Sequence, residues 1–280
     1  LSCDAQLAGD AIGSSRLEFT PRHAPRAGDF TVDVALAREG GSAGAAPLVL
    51  QAMLLPLALA AGRSTCTVRG GTAAAHSPPF DYLCDVWLHA LARMGLRASV
   101  ALRRFGWYPV GGGEIAATIE GGWRPEPVDC VERGALAGVT GRVLTTRLPA
   151  HVGERMAGRA QSALEREGIE ANIAIEEIEA SSPGAGIFLA ADYENARAGA
   201  SALGERGKPS EAVADEAVRA LLAYHRTGAA IDEHLADQLL LPAALAAGRS
   251  RFSAERISRH LETNAWFIER FGLARVRIEA

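Results

Sequence analysis

LLPLALAAGRS occupies residues 54–64, and LLPAALAAGRS occupies residues 240–250. The two stretches agree at ten of eleven positions, differing only at Leu57 against Ala243, and lie 186 residues apart. Each reads as the back half of a helix followed by a stop. Pro56 and Pro242 begin or kink a helical segment. Gly62 and Gly248 suit the left-handed C′ position just past a helix, and the arginine after each lies near the carbonyl end of the helix dipole. The sequence downstream is parallel too. A short strand is expected at 64–69 and at 250–254. A helix follows, from beyond Pro79 to about residue 94 and from about 259 to 271. A further strand comes next, at 97–103 and 274–278. Alanine and leucine are abundant here, so LAAG alone carries little. The same order of elements after both copies makes internal duplication the better reading, in an α/β chain of pseudo-repeated βαβ-type units.

Between the copies the pattern changes. Residues 121–127 form a turn-rich joint. A strand is expected at 138–146, a helix at 149–167 ended by Gly168, and strands at 171–178 and 187–193. Glycine and alanine then break the pattern up to Lys208, and a strong helix follows at 210–224. This reads as a small α/β unit inserted into a larger one. The expected division is residues 1–125 as the first part of the main unit, 126–226 as the insertion and 227–280 as the return to the main unit.

The totals narrow the function classes. The net charge of −4 over 280 residues argues against bulk electrostatic capture of nucleic acid. Local basic patches remain at Arg103 and Arg104, and at Arg249, Arg251, Arg256 and Arg259. The cysteines at 3, 66, 84 and 130 lack CxxC or CxxH spacing, which points away from a zinc site or disulfide framework and toward a reducing cytoplasm. Residues 43–62 are as long and apolar as a membrane span. Pro47, Pro56 and Gln51 inside that run favour a buried core helix, so no membrane partner is expected. The chain opens on Leu1 without a leader pattern, and an upstream segment is expected.

Three motifs stand out. RFGWYPVGGGE (104–114) could cradle a phosphate through backbone N–H groups, and equally fits a bulged turn between two strands. HLADQ (234–238) opens the second repeated helix. Its Asp237 could hold a hard cation and Gln238 could read a nucleotide edge or phosphate, while an acidic first helical turn is the plain alternative. SRHLETN (258–264) places His260 at a helix start beside arginines, which disfavour an imidazolium and leave a neutral, nucleophilic ring. A histidine can take up a phosphoryl or nucleotidyl group covalently, and an exposed cap-region histidine is the alternative. His23, His76, His89, His151 and His225 read as loop or helix-surface residues. Spacing assembles no Ser–His–Asp or Cys–His set.

Together these stretches resemble the RNA 3′-terminal phosphate cyclase family. The resemblance rests on GSAGAAPLVLQAMLLP (41–56), GGTAAAHSPPFDYL (70–83), RFGWYPVGGGE, HLADQLLLP (234–242) and HLETN (260–264), in order and over nearly the whole chain. It implies the fold shared with enolpyruvyl transferases, with an inserted small α/β domain and the two phrases on equivalent helices. It also implies an earlier repeat ahead of Leu1, of which residues 3–12 resemble the tail. Ala45 and Ala73 depart from the family pattern, which has a serine-like and an acidic or amide residue there.

The implied activity is ATP-dependent conversion of an RNA 3′-phosphate end to a 2′,3′-cyclic phosphate. His260 falls on the histidine that forms a histidine–AMP intermediate. Gln51 and His234, Leu235, Ala236, Asp237 and Gln238 fall on nucleotide-contacting positions, with Mg²⁺ or Mn²⁺ offsetting the triphosphate charge. Two other classes share the fold. Scaffold relatives in ribosome assembly lack the nucleophilic histidine, which is present here. An enolpyruvyl transferase would need a basic phosphoenolpyruvate-binding set, and no stretch resembles one.

Overall fold

The computed structural model describes residues 2–11, 13–34, 44–74 and 77–279. His76 and residues 41–43 of the first quoted motif therefore lie outside the described residues.

A short hairpin of β1 (Gln6–Ala8) and β2 (Glu18–Thr20) precedes the first large sheet. β3 (Asp29–Asp33) leads to helix α1 (Ala46–Leu59) and returns to β4 (Ser64–Gly70), which lies parallel to β3. A second helical stretch follows: α2 (Phe80–Tyr82), a π-helical segment (Leu83–Leu88) and α3 (His89–Arg93). β5 (Ala98–Arg104) and β6 (Gly113–Ile119) then form a hairpin, and β6 pairs antiparallel with β4. Strand alternation decides which face is covered. Cys66 and Val68 of β4 and Ile115, Ala117 and Ile119 of β6 point into the core. The stripe Leu50, Leu54, Leu57 and Ala58 on α1 packs there with Leu83, Val86, Trp87 and Leu91. The apolar run around residues 43–62 is thus spent on a core helix. No helix of the described residues is long and apolar enough to cross a membrane.

The second sheet begins after β7 (Asp129–Cys130). It holds β8 (Leu136–Thr146), α4 (Ala150–Glu165), β9 (Ala171–Glu177), β10 (Gly184–Tyr193) and β11 (Arg197–Leu203), in the spatial order β11-β10-β8-β9. α4 and α5 (Ser210–Thr227) cover it, and Arg155–Glu211 and Arg159–Asp215 ion pairs join the two helices. β11 corrects the expectation that residues up to Lys208 lack pattern. Its inward residues are Ala198, Ala200 and Ala202, and a Cβ at Gly199 would come within 2.9 Å of Phe188 and Val86 side-chain atoms. Phe188 and Val86 leave no room for a side chain at Gly199, and the small residues of this strand carry no β-propensity signal.

α6 (Glu233–Leu245), β12 (Arg251–Phe252) and α7 (Arg259–Arg270) complete the described chain. The duplication is visible at its joints. Ser64 Oγ accepts from Gly28 N–H (3.3 Å) while Thr65 N–H donates to Gly28 O (3.1 Å). In the second copy Ser250 Oγ accepts from Val128 N–H (3.2 Å) and Arg251 N–H donates to Val128 O (2.7 Å). In both, the repeated serine pins the start of a strand to a parallel neighbour, β3 in one case and β7 in the other.

Three expectations need correction. The helices end at Leu59 and Leu245 with extended caps at Ala60 and Ala246, so Gly62 and Gly248 stand two residues beyond the caps rather than at C′; both keep positive φ. The strand expected at 250–254 shrinks to two residues. Residues 274–278 form no strand: Val276 N–H donates to Glu269 Oε1 at 2.9 Å, and Ala274 and Val276 pack on the core beside α7. Their apolar alternation is satisfied by a helix, with no strand alongside among the described residues.

Candidate active site

The N-terminal half of α6, the start of α7 and the middle of α1 converge on one groove. Asp232 caps α6, accepting from the N–H groups of His234 and Leu235 at 3.0 Å each. Ser258 caps α7, its Oγ accepting from Leu261 N–H at 3.1 Å. These caps place Asp237 and His260 side by side, with Asp237 Oδ2 4.0 Å from His260 Nδ1. That separation is too long for a hydrogen bond and short enough for a charge interaction. One turn beyond His260, Asn264 Nδ2 donates to the Asp237 carbonyl at 3.4 Å. Across the groove, Gln51 Nε2 on α1 donates to Gln238 Oε1 on α6 at 3.1 Å.

The groove has a volume of about 450 Å³, with Asp237, Gln238, Gln51 and Asn264 as its polar groups and Trp87, Leu55 and Phe267 among its apolar walls. A few convergent polar groups on an apolar wall is the usual composition of a small-molecule site. Burial pushes the Asp237 carboxyl above the ordinary carboxylate range, and the nearby His260 and His234 rings oppose that shift. The His260 ring is largely exposed, with Nε2 the nitrogen not facing Asp237. The expected arginine neighbourhood is weaker than the sequence suggests, because the Arg256 guanidinium is taken by Glu233.

The family model of RNA 3′-terminal phosphate cyclase matches residues 2–278. The chain belongs to this family. Among curated RNA 3′-terminal phosphate cyclases, it is 56% identical over 279 residues to that of Methylococcus capsulatus, covering 99% of this chain and 77% of the relative. It is 49% identical over 276 residues to that of Nostoc punctiforme (99% and 79% covered) and 42% identical over 276 residues to that of Methanopyrus kandleri (96% and 76% covered).

Of the residues picked out by the cyclase resemblance, the structure brings Gln51, Asp237, Gln238 and His260 together. His234 is exposed on the same helical turn, its Nε2 3.7 Å from Glu233 Oε1 and its ring edge-on to Tyr82 at 6.3 Å. Leu235 and Ala236 are core residues, and their N–H groups are committed to Asp232. Helical periodicity explains the split: positions 234, 237 and 238 share one face and 235 and 236 turn inward.

Of the two readings of the glycine motif, the structure shows the turn between two strands. RFGWYPVGGGE is the turn between β5 and β6. A Cβ on Gly106 would fall 2.4 Å from Gly113 N, so two backbone strands cross there with no room for a side chain. Trp107 Nε1 donates to Thr146 Oγ1 of the second sheet at 3.0 Å, and Phe105, Trp107, Ala73 and Leu144 form a small second core. The motif is a seam between the two sheets.

The sequence reading missed Tyr82 and Asp232. Tyr82 OH donates to Asp232 Oδ1 at 2.7 Å, and both residues are buried. Burial raises the Asp232 carboxyl, opposed by the hydrogen bonds from Tyr82 and the Leu235 and His234 amides. An aspartate just ahead of an amphipathic helix is a recognisable cap signal, so Asp232 was findable; its tyrosine partner 150 residues away was not.

Proposed function

We propose that the chain is an ATP-dependent RNA 3′-terminal phosphate cyclase that works through a covalent His260–AMP intermediate. The observation that supports this reading best is the approach of the exposed His260 ring to Asp237, which lines a groove together with Gln51 and Gln238. His260 Nε2 attacks the α-phosphorus of ATP; the N–P bond forms as the bond to pyrophosphate breaks. Positive charge developing on the ring is countered by the Asp237 carboxylate facing Nδ1. The AMP phosphorus then passes from His260 to an oxygen of the RNA 3′-phosphate. The neighbouring 2′-hydroxyl oxygen attacks the 3′-phosphorus, its proton is lost to solvent, and AMP leaves. Two nucleotidyl transfers activate the 3′-phosphate so that the third displacement, the cyclisation, has AMP as its leaving group, and the need for a 2′-hydroxyl selects RNA ends over DNA ends.

Gln51, His234 and Gln238 bind and orient the nucleotide in this reading. The donor set fits Mg²⁺ or Mn²⁺ held chiefly by phosphate oxygens with Asp237 as the protein's carboxylate, supplying charge neutralisation on the triphosphate. Residues 126–226 serve as the inserted unit of the main domain. The cytoplasm is the working compartment, consistent with four free cysteine thiols.

The test is incubation of the chain with α-labelled ATP and Mg²⁺, followed by addition of an RNA with a 3′-phosphate. An acid-labile protein label, its absence in His260→Ala and a 2′,3′-cyclic end on the RNA are expected. An unlabelled wild-type chain, or equal labelling of His260→Ala, overturns the reading.

A further inference from the structure

We propose that Tyr82 and Asp232 are positioning residues for the nucleotidyl-transfer step, fixing α6 so that Asp237 meets His260; this rests on the cyclase reading above. Asp232 is 4% exposed, and a single oxygen, Oδ1, accepts from Tyr82 OH and from the His234 and Leu235 N–H groups. Its other oxygen, Oδ2, is buried without a hydrogen-bond partner among the described residues. Helix capping alone does not require this arrangement. Ser258 caps α7 with a neutral hydroxyl, and α1, the counterpart of α6, starts at Ala45 with no side-chain cap at all. A buried carboxylate with an orphaned oxygen carries a desolvation cost that a serine would avoid. What the carboxylate does and a serine cannot is reach Tyr82 while still capping the helix.

Tyr82 is itself fixed from the other side. The adjacent Asp81, also buried, is paired with Arg142 of β8, and Arg142 holds Glu176 of β9 through two hydrogen bonds of 3.0 and 2.9 Å. Two consecutive residues therefore clamp the start of the helical stretch between the second sheet and α6. Asp237 lies five residues after Asp232 on the same helix. A rotation or slide of the α6 start is transmitted to the Asp237–His260 contact, and reacting geometries lose rate steeply with small displacements.

Single-turnover labelling with α-labelled ATP tests this with Tyr82→Phe, Asp232→Ser and Asp232→Asn. The first two are expected to lower the rate constant of His260 labelling about 10- to 100-fold at saturating ATP, with KM for ATP and labelling amplitude little changed. Mere destabilisation would lower the amplitude instead. Asp232→Asn, which keeps an acceptor for all three donors, is expected to recover most of the rate. An activity-independent readout is the ring signal of His260 in histidine-labelled protein by NMR. It is expected to move in Tyr82→Phe and Asp232→Ser, and to stay in Asp232→Asn. If Asp232→Ser fails to fold, Tyr82→Phe, which removes one oxygen, carries the test. Wild-type rate constants and ring signals in Tyr82→Phe overturn the positioning role. A wild-type chain that never labels overturns the cyclase reading instead, and the ring signals then decide the positioning role alone.

Discussion

The two copies of the repeated phrase end in the same joint and lead different lives. In the first, α1 is uncapped, its stripe is fully buried, and the strand after it is seven residues long at the heart of a four-stranded sheet. In the second, α6 is capped by a buried carboxylate, and the strand after it pairs over two residues only. The serine joint is shared because it satisfies buried backbone groups wherever it is placed. The rest diverges with burial. The copy packed most deeply contributes one polar side chain to the groove, Gln51, beside apolar wall from Leu55 and Pro56. The copy with the thinner sheet contributes Asp237 and Gln238 and, on its next helix, His260. The deeper copy is the scaffold, and the shallower one has its helix starts free for chemistry.

Equivalent substitutions in both copies probe this contrast. The largest effect is expected in the shallow copy and on activity: His260→Ala should reduce nucleotidyl transfer by about 10⁴-fold or more, with circular dichroism and thermal midpoint unchanged. Next comes the core. Leu54→Ala, at a fully buried position, is expected to cost about 3–5 kcal/mol and its counterpart Leu240→Ala about 2–3 kcal/mol by urea unfolding. Equal costs would erase the distinction between scaffold and active copy. The joints follow. Ser64→Ala removes a fully buried hydroxyl and leaves the half-buried Gly28 N–H without it, and is expected to cost about 1–3 kcal/mol, against less than about 1 kcal/mol for the half-buried Ser250.

The smallest effect concerns pH. Burial raises the folded-state pKa of Asp232, so the unfolded chain releases that proton first and stability falls as pH rises through the ordinary aspartate range toward the folded value. Asp232→Asn does not titrate. Its thermal midpoint is expected to match or exceed wild type at pH 8, with the advantage closing as pH falls below about 4, the ordinary aspartate pKa. A gap that widens on acidification would contradict a raised carboxyl.

Much of this architecture is legible in the chain because it is periodic. The repeated phrase gives α1 and α6 to within a few residues, and alternation gives β4, β8 and β9. What escapes is what neighbours impose. Gly199 of β11 has no room for a side chain because Phe188 and Val86 press on it, and residues 274–278 alternate like a strand yet dock on a helix. The π-helical segment that follows Tyr82 has no sequence signature. For the site, the short motifs carry Gln51, Asp237, Gln238 and His260; Asp237, Gln238 and His260 lie on consecutive helices, while Gln51 is placed by the motif alone, 187 positions from Gln238. The Tyr82–Asp232 pair is invisible because nothing local marks which tyrosine will meet a cap.

The walls of the groove are also distant along the chain: Gln51 meets Gln238 across 187 positions and Tyr82 meets Asp232 across 150. Closing such spans costs chain entropy before any contact repays it, so the groove belongs to the late, slow-forming part of this topology. During refolding, far-ultraviolet signal should return ahead of nucleotide binding.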